Sequence, residues 1–309
     1  MSKGRRKKNE SHISVCICTY KRPEMLSHAL EGILKQVVDD GFTYEIVIVD
    51  NDRTRSAEPV VLQHQNKSVI PIMYSCETEQ NIALARNRAI RLSTGNLIAF
   101  IDDDECPVKE WLARLYNAKM DYKADGALGP VLPEFPPESP RWLREGNIFN
   151  RRRFLTGTKL TVRDTRTGNV LLSRSMFPEN EIWFDPAFGL TGGEDVDFFR
   201  RQISLGRIFV WCDEAEAYET VTADRCKSSF HLKKYFKIGA LNGENLRKDG
   251  FSGFIGFFKC ILSVLVWSIS FIALLPLGKH RWISPILKLS YSSSCVLSYC
   301  GIQLEKNRY

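Results

Sequence analysis

Residues 95–104 read GNLIAFIDDD. After Gly95 and Asn96 the stretch is apolar as far as Ile101, and it passes without a break into Asp102, Asp103 and Asp104. An apolar run this short, bounded by a glycine at one end and three acids at the other, is a buried strand that delivers polar groups to one edge of a sheet. Side chains alternate along a strand, so the spacing puts Asp102 and Asp104 on one face and Asp103 on the other. Three adjacent carboxylates repel one another and are costly to dehydrate. Two readings follow. The acids are hard oxygen ligands for Mg²⁺ or Mn²⁺, or they are a solvated loop ahead of a helix opening at Pro107, whose N-terminus favours negative charge.

The same pattern extends in both directions. Residues 12–18 (HISVCIC) and 44–49 (YEIVIV) are two further buried strands, the second ending in Asp50, and residues 69–75 are a third. Helices are expected over residues 23–38, opened by Pro23, over residues 79–92, and from Pro107 through Trp111, Leu112, Leu115 and Tyr116. Short apolar strands alternating with helices specify an α/β domain, a mostly parallel sheet with helices on both faces. Ligands of such sheets bind beyond the carboxyl ends of the strands, where this chain carries Thr19, Asp50 and the three acids. Further on, residues 160–162 and 169–173 are expected to pair as a hairpin around the turn 164–168. Gly192-Gly193-Glu194-Asp195 then opens a helix to Leu205, followed by a strand over residues 208–212.

Charge is unevenly placed along the 309 residues. The net +7 divides into +4 over residues 1–10, −2 over residues 11–250 and +5 over residues 251–309. A nucleic-acid enzyme needs a continuous positive track, which a near-neutral body lacks, so no nucleic-acid partner is expected. Basic ends suit an anionic membrane surface, although residues 1–11 alone read as a basic, disordered tail. The nine cysteines include no CxxC pair, which points to a reducing compartment. The basic start runs into a strand rather than an apolar signal region, so no secretory signal is expected. Residues 260–278 (CILSVLVWSISFIALLPLG) are nineteen residues without a charge, about 28 Å as a helix. Residues 282–302 are a second, weaker apolar stretch.

Five segments occur in order: SVCICTYKRP (14–23), EIVIVD (45–50), NIALARN (81–87), GNLIAFIDDD (95–104) and GGEDVDF (192–198). Together they resemble the family 2 glycosyltransferases, inverting enzymes of the GT-A fold that transfer sugars from nucleotide diphosphates. The resemblance is greatest to bacterial exopolysaccharide enzymes of the succinoglycan-biosynthesis type. It implies a glycosyltransferase domain over residues 12–250, with a nucleotide-sugar half at about 12–106 and an acceptor half at about 107–250, and hydrophobic membrane-associating helices over 251–309.

The resemblance also implies roles. Thr19 and Tyr20 flank the nucleobase, and Asp50 accepts from its imide edge. Arg86 faces the diphosphate, and Asp102 and Asp103 belong to the nucleotide site. Asp104, with Asp102, holds a divalent cation, Mn²⁺ or Mg²⁺. Asp195 is the catalytic base, taking the proton of the acceptor hydroxyl as its oxygen attacks the anomeric carbon. Where many relatives place a further metal-binding histidine, this chain reads Ala217-Tyr218-Glu219-Thr220. Glu219 and the downstream His231 are left open as third ligands. The implied partners are a UDP-sugar, a saccharide or polyprenyl-diphosphate-linked acceptor, the membrane and other polysaccharide-assembly proteins, at the cytoplasmic face of the plasma membrane. The competing class is a non-catalytic nucleotide-binding or scaffold subunit, which retention of Asp102, Asp104 and Asp195 together disfavours.

Overall fold

A computed structural model describes residues 11–38, 41–146, 148–149, 151–179, 181–190 and 192–302. The chain divides into two compact units, Met1–Pro133 with Arg151–Thr220, and Glu134–Asn150 with Val221–Tyr309. Residues 1–10 of the expected basic tail, and residues 303–309, lie outside the described residues.

In chain order the first elements are β1 (Ser11–Thr19), α1 (Pro23–Leu34), β2 (Phe42–Asp50), α2 (Glu58–Gln65), β3 (Ile72–Cys76), α3 (Ile82–Leu92) and β4 (Leu97–Phe100). There follow β5 (Glu105–Pro107), α4 (Trp111–Asp121), β6 (Gly126–Leu128), β7 (Val131–Glu134), α5 (Arg141–Glu145), β8 (Val170–Ser173), α6 (Glu194–Ser204), β9 (Phe209–Trp211) and β10 (Ala217–Thr220). Three long helices complete the described chain, α7 (Ser228–Lys248), α8 (Gly250–Leu274) and α9 (Lys279–Tyr299).

In the first unit, the described strands form a seven-stranded sheet in the order β3-β2-β1-β4-β8-β6-β9. β8 alone among them runs antiparallel to its neighbours, β4 and β6. The inner strands read as unbroken apolar runs because both of their faces are buried. Ile13, Val15 and Ile17 of β1 and Ile46 and Ile48 of β2 pack on one face beneath Leu26, Leu30 and Ile33 of α1 and Trp111 and Leu112 of α4. Cys16, Val47 and Val49 point the other way, under Ala85, Ala89 and Ile90 of α3 and Phe198 and Phe199 of α6. Each fully buried aliphatic side chain of this kind contributes about 1.5–3 kcal/mol. The order of strands reverses between β1 and β4, which opens a crevice at their carboxyl ends.

A second sheet has the strand order β5-β10-β7. Its antiparallel register sets Glu219 directly opposite Glu105.

Several expected boundaries shift for identifiable reasons. The third strand begins at Ile72 rather than residue 69, because Val69 is 97% exposed in a turn closed by Ser68 Oγ. Residues 105–107 pair with β10, so the helix expected from Pro107 starts at Trp111. The hairpin does not form. Thr161 and Asp164 close a capping box that turns Val162–Asp164 into a 3₁₀ helix, and both edges of β8 are taken by β4 and β6.

In the second unit α9 packs along α7 and α8 and touches α5. Gly239 and Gly243 of α7 permit the approach, since a Cβ at either would lie 2.1 Å from Tyr291 O and 2.2 Å from Cys295 O. Trp142, Leu143, Ile283 and Leu287 form a small core there. The helix Gly250–Leu277 is the only one among the described residues long and apolar enough to cross a membrane, and its most apolar window has no buried residue. Leu262, Leu265, Ile269 and Ile272 are all exposed along it. The weaker second stretch, in α9, instead buries Ser292, Ser294, Cys295 and Ser298.

Candidate active site

The carboxyl ends of β1 and β4 bring the expected acids together, with a different disposition from strict alternation. β4 ends at Phe100, and a turn at Asp103 and Asp104 carries the chain into β5. Strand alternation therefore does not apply to the three acids, and Asp103 does not point away from the others. It is buried and accepts from Thr19 Oγ1 at 2.8 Å. Arg22 Nη1 bridges Asp103 Oδ1 at 3.3 Å and Asp104 Oδ2 at 3.2 Å. Burial pushes the Asp103 carboxyl up, against the pull of Arg22 and Thr19. Asp104 is pushed up to about 7 by burial and then by repulsion from Asp102, Asp103 and Glu219, with Arg22 opposing. Glu105 is raised well above the usual carboxylate range by burial and by Asp102 and Asp104.

On the other side of Asp102 stands Arg86. The N-cap Asn81 starts α3 by accepting from Ala83 N and Leu84 N at 3.0 and 3.2 Å, which aims the helix and its buried Arg86 into the crevice. Arg86 Nη1 donates to Glu194 Oε1, and Nη2 lies 3.9 Å from Asp102 Oδ1. Burial draws the guanidinium pKa down, but Glu194 and Asp102 outweigh it and hold the group above its ordinary value. Glu194 opens α6 after Gly193, which takes a left-handed φ of +100° that favours glycine. Its Oε2 is buried without a partner. Asp195 beside it is half-buried, accepts from the N–H of Val196 at 2.8 Å, and adds to the field that keeps Arg86 protonated. Asp197 is committed to Arg201 at 2.9 Å.

Tyr20 follows Thr19 with 37% of its surface exposed, and Lys21 Nζ lies 5.1 Å from its ring centre. Asp50 is fully buried and accepts from Asp52 N at 3.0 Å, Ala57 N at 2.8 Å and Tyr74 Oη at 3.1 Å, so its oxygens fix the loop 52–57. Glu219 lies within the field of Asp104 and is 3.5 Å from Arg151 Nη2. His231 belongs to the second unit, where it is buried against Trp142, Phe149 and Phe230 and hydrogen-bonded to Arg225 O at 2.7 Å.

Among the described residues no group of three or more His, Cys, Asp or Glu side chains is arranged to hold a metal by itself. Asp102 and Asp104 nevertheless offer hard oxygen donors with excess negative charge around them. Mg²⁺ commonly takes one or two carboxylates and completes its shell with substrate phosphates and water, and the pair fits that use. Sequence reasoning left out Arg22 as the counter-ion of two of the acids, Glu105 as a buried third neighbour, and Glu194 as the partner of Arg86. Arg22 and Glu194 lie inside recognisable segments, whereas Glu105 follows the acid run with no spacing to mark it.

Residues 14–180, more than half of the chain, match the profile of Glycosyl transferase family 2. The chain belongs to this family. The transferase is 32% identical over 235 residues to the succinoglycan biosynthesis protein ExoM of Rhizobium meliloti (strain 1021), spanning 76% of this chain and 75% of that one. It is 23% identical over 238 residues to the hyaluronan synthase of Pasteurella multocida, 67% of this chain and 24% of the synthase. Among solved structures, S. aureus TarS 1–349 in complex with UDP-GlcNAc aligns with a TM-score of 0.56 at 17% identity, covering 94% of this transferase and 92% of TarS 1–349. GalNAc-T7 with UDP, GalNAc and Mn²⁺ aligns with a TM-score of 0.53 at 12% identity, covering 72% and 46%. The transferase has the GT-A fold.

Proposed function

We propose that this transferase moves a sugar from a UDP-sugar to a hydroxyl of a saccharide or lipid-linked saccharide during synthesis of a cell-surface polysaccharide, inverting the anomeric carbon. The observation that carries the reading is the junction at Arg86, where one guanidinium joins Asp102 at the end of β4 to Glu194, next to Asp195, at the start of α6. In this reading the junction has an acid of the nucleotide site on one side and the general base on the other, with Arg86 between them facing the diphosphate. The names of the relatives, succinoglycan biosynthesis and hyaluronan synthase, support the polysaccharide setting.

In this reading Asp195 takes the proton of the acceptor hydroxyl as its oxygen attacks the anomeric carbon from the face opposite the nucleotide. The electron pair of the broken glycosyl bond leaves on the diphosphate. Arg86, held between two acids, orients both halves of the crevice. Tyr20 offers an exposed ring for the nucleobase, Thr19 fixes Asp103 beneath the nucleotide, and Asp50 acts through the loop that it holds. Asp104 with Asp102 would hold a divalent cation, which supplies positive charge where the leaving diphosphate becomes more negative. Residues 12–106 serve the donor and 107–250 the acceptor, while α8 within 251–309 attaches the enzyme to the cytoplasmic face of the plasma membrane.

The test is product analysis with UDP- and GDP-sugars and membrane lipid extract, comparing the wild type with Asp195→Asn and Asp104→Ala. Transfer from a UDP-sugar that both substitutions abolish, with folding retained by circular dichroism, is expected. Undiminished transfer by Asp195→Asn would remove its assignment as base. An inability of the wild type to use or bind any nucleotide sugar would leave the scaffold class standing instead.

A further inference from the structure

Among the described residues of the first unit, one arginine has a sealed donor with no acceptor. Arg22 and Arg86 are engaged by Asp103, Asp104 and Glu194. Arg166 Nε is sealed from solvent with no acceptor, and among the described residues its guanidinium makes no hydrogen bond or ion pair. Its ring neighbour is Trp211 at the end of β9, 5.9 Å from guanidinium carbon to ring centre. Burial lowers its pKa to about 10, with Arg151 adding to the fall and Glu105, Glu219 and Asp102 opposing it, so the group stays charged at neutral pH. A half-buried guanidinium without an acceptor is a costly arrangement, and its Nη groups keep their donors for an anionic ligand.

The loop that carries it is built to hold still. Asn169, fully buried with φ +58°, donates through Nδ2 to Pro130 O at 2.8 Å and Ala215 O at 2.7 Å, and accepts at Oδ1 from Trp111 Nε1 at 2.7 Å. Gly168 lets the same loop lie against the acids, since a Cβ there would meet Glu105 Oε1 at 2.8 Å and Asp102 Oδ2 at 3.1 Å. The backbone two residues on from Arg166 is thus held against Asp102 and Glu105, and the charges of both acids act on the guanidinium, at the carboxyl-end edge of β4, β6 and β9.

We propose that Arg166 binds the diphosphate of the nucleotide donor, Arg22 and Arg86 being neutralised by the protein's own acids. This deepens the function proposed above and rests on it. A planar guanidinium donates two parallel N–H groups to phosphate oxygens, a geometry that an ammonium reproduces only as a point charge. Arg166 is in this way matched to the group that gains negative charge as the sugar departs, while Arg86 keeps the two walls of the crevice together.

The test is isothermal titration of the full-length chain in detergent and Mg²⁺ with UDP, GDP, uridine and inorganic pyrophosphate, for wild type, Arg166→Gln and Arg166→Lys. Arg166→Gln is expected to weaken UDP and pyrophosphate at least tenfold and leave uridine unchanged, with Arg166→Lys intermediate. Unchanged uridine affinity also certifies that the variants are folded. If UDP binds Arg166→Gln as tightly as wild type, the assignment is overturned while the nucleotide-sugar reading stands. A wild type that binds neither UDP nor GDP overturns the parent reading, and this one with it.

Discussion

Replacing Arg86 with methionine takes away the guanidinium that holds Glu194 and leaves a carboxylate sealed in the crevice. The side chains of Arg86 and Glu194 are 10% and 8% exposed, so solvent screens their interaction little. The lost charge-assisted hydrogen bond is worth about 1.5–3 kcal/mol. Glu194 Oε2 already has no partner, so the substitution strands both oxygens and the cost should reach the roughly 3–5 kcal/mol typical of a broken buried pair. Glu194→Gln should cost less, about 1–3 kcal/mol, because Arg86 keeps Asp102 at 3.9 Å as a second acid. The double variant removes the stranded charge, and its cost should fall short of the sum of the singles by about 2–3 kcal/mol. Urea unfolding of the four full-length proteins in detergent, followed by tryptophan fluorescence, measures this coupling. A coupling below about 0.5 kcal/mol would refute the idea that the two residues act as one buried unit.

Two further outcomes are expected. His231 is buried among aromatic rings, and burial, then Lys234 and Arg225, lowers its pKa against the hydrogen bond to Arg225 O. The fold thus favours the neutral imidazole, and the unfolded chain binds more protons. Its stabilisation is full above the unfolded value of about 6.5 and is lost as pH falls through the lower folded value, at no more than about 1.4 kcal/mol per pH unit. Melting curves from pH 7.5 to 5.5 should fall more steeply for wild type than for His231→Phe, and equal slopes would rule the residue out as a source. For α8, Leu265→Asp, Ile269→Asp and Ile272→Asp should each disfavour insertion by about 3 kcal/mol, so the triple variant should no longer float with anionic-lipid vesicles while wild type does. Equal flotation would show that the helix does not enter the bilayer.

The strands β1, β2 and β4 are legible in the sequence because they are buried on both faces, and a continuous apolar run is what such burial demands. α2 is not, because in EPVVLQHQ only Val61 is buried and no periodic stripe exists to read. The hairpin around residues 164–168 fails for another reason. A short apolar run beside a turn marks residues 169–173 as a strand but carries nothing about which distant strands will take its edges. The acids of the site are legible, since carboxylates crowded at a strand end have few structural uses. Their arrangement is not, because the turn after Phe100 overrides the alternation that would have sent Asp103 elsewhere. Arg22 sits in a quoted segment without any sign of its role, and Arg166 sits in a stretch that local pattern reads as an exposed turn. Counter-ions of this kind are assigned by folding, when loops far apart in sequence meet.

The antiparallel β8 has a consequence for the order in which the chain can fold. It pairs Ser173 with Leu97 of β4 and Leu172 with Gly126 of β6. As the chain emerges during synthesis, β1 to β4 can assemble early, but β4 then presents an open edge until residues 170–173 arrive, and β6 and β9 cannot join the sheet before them. An open edge invites pairing with another chain. The interval between the emergence of residue 100 and residue 173 is thus the vulnerable period in the life of this protein, and shortened or stalled chains ending within it are the ones expected to aggregate.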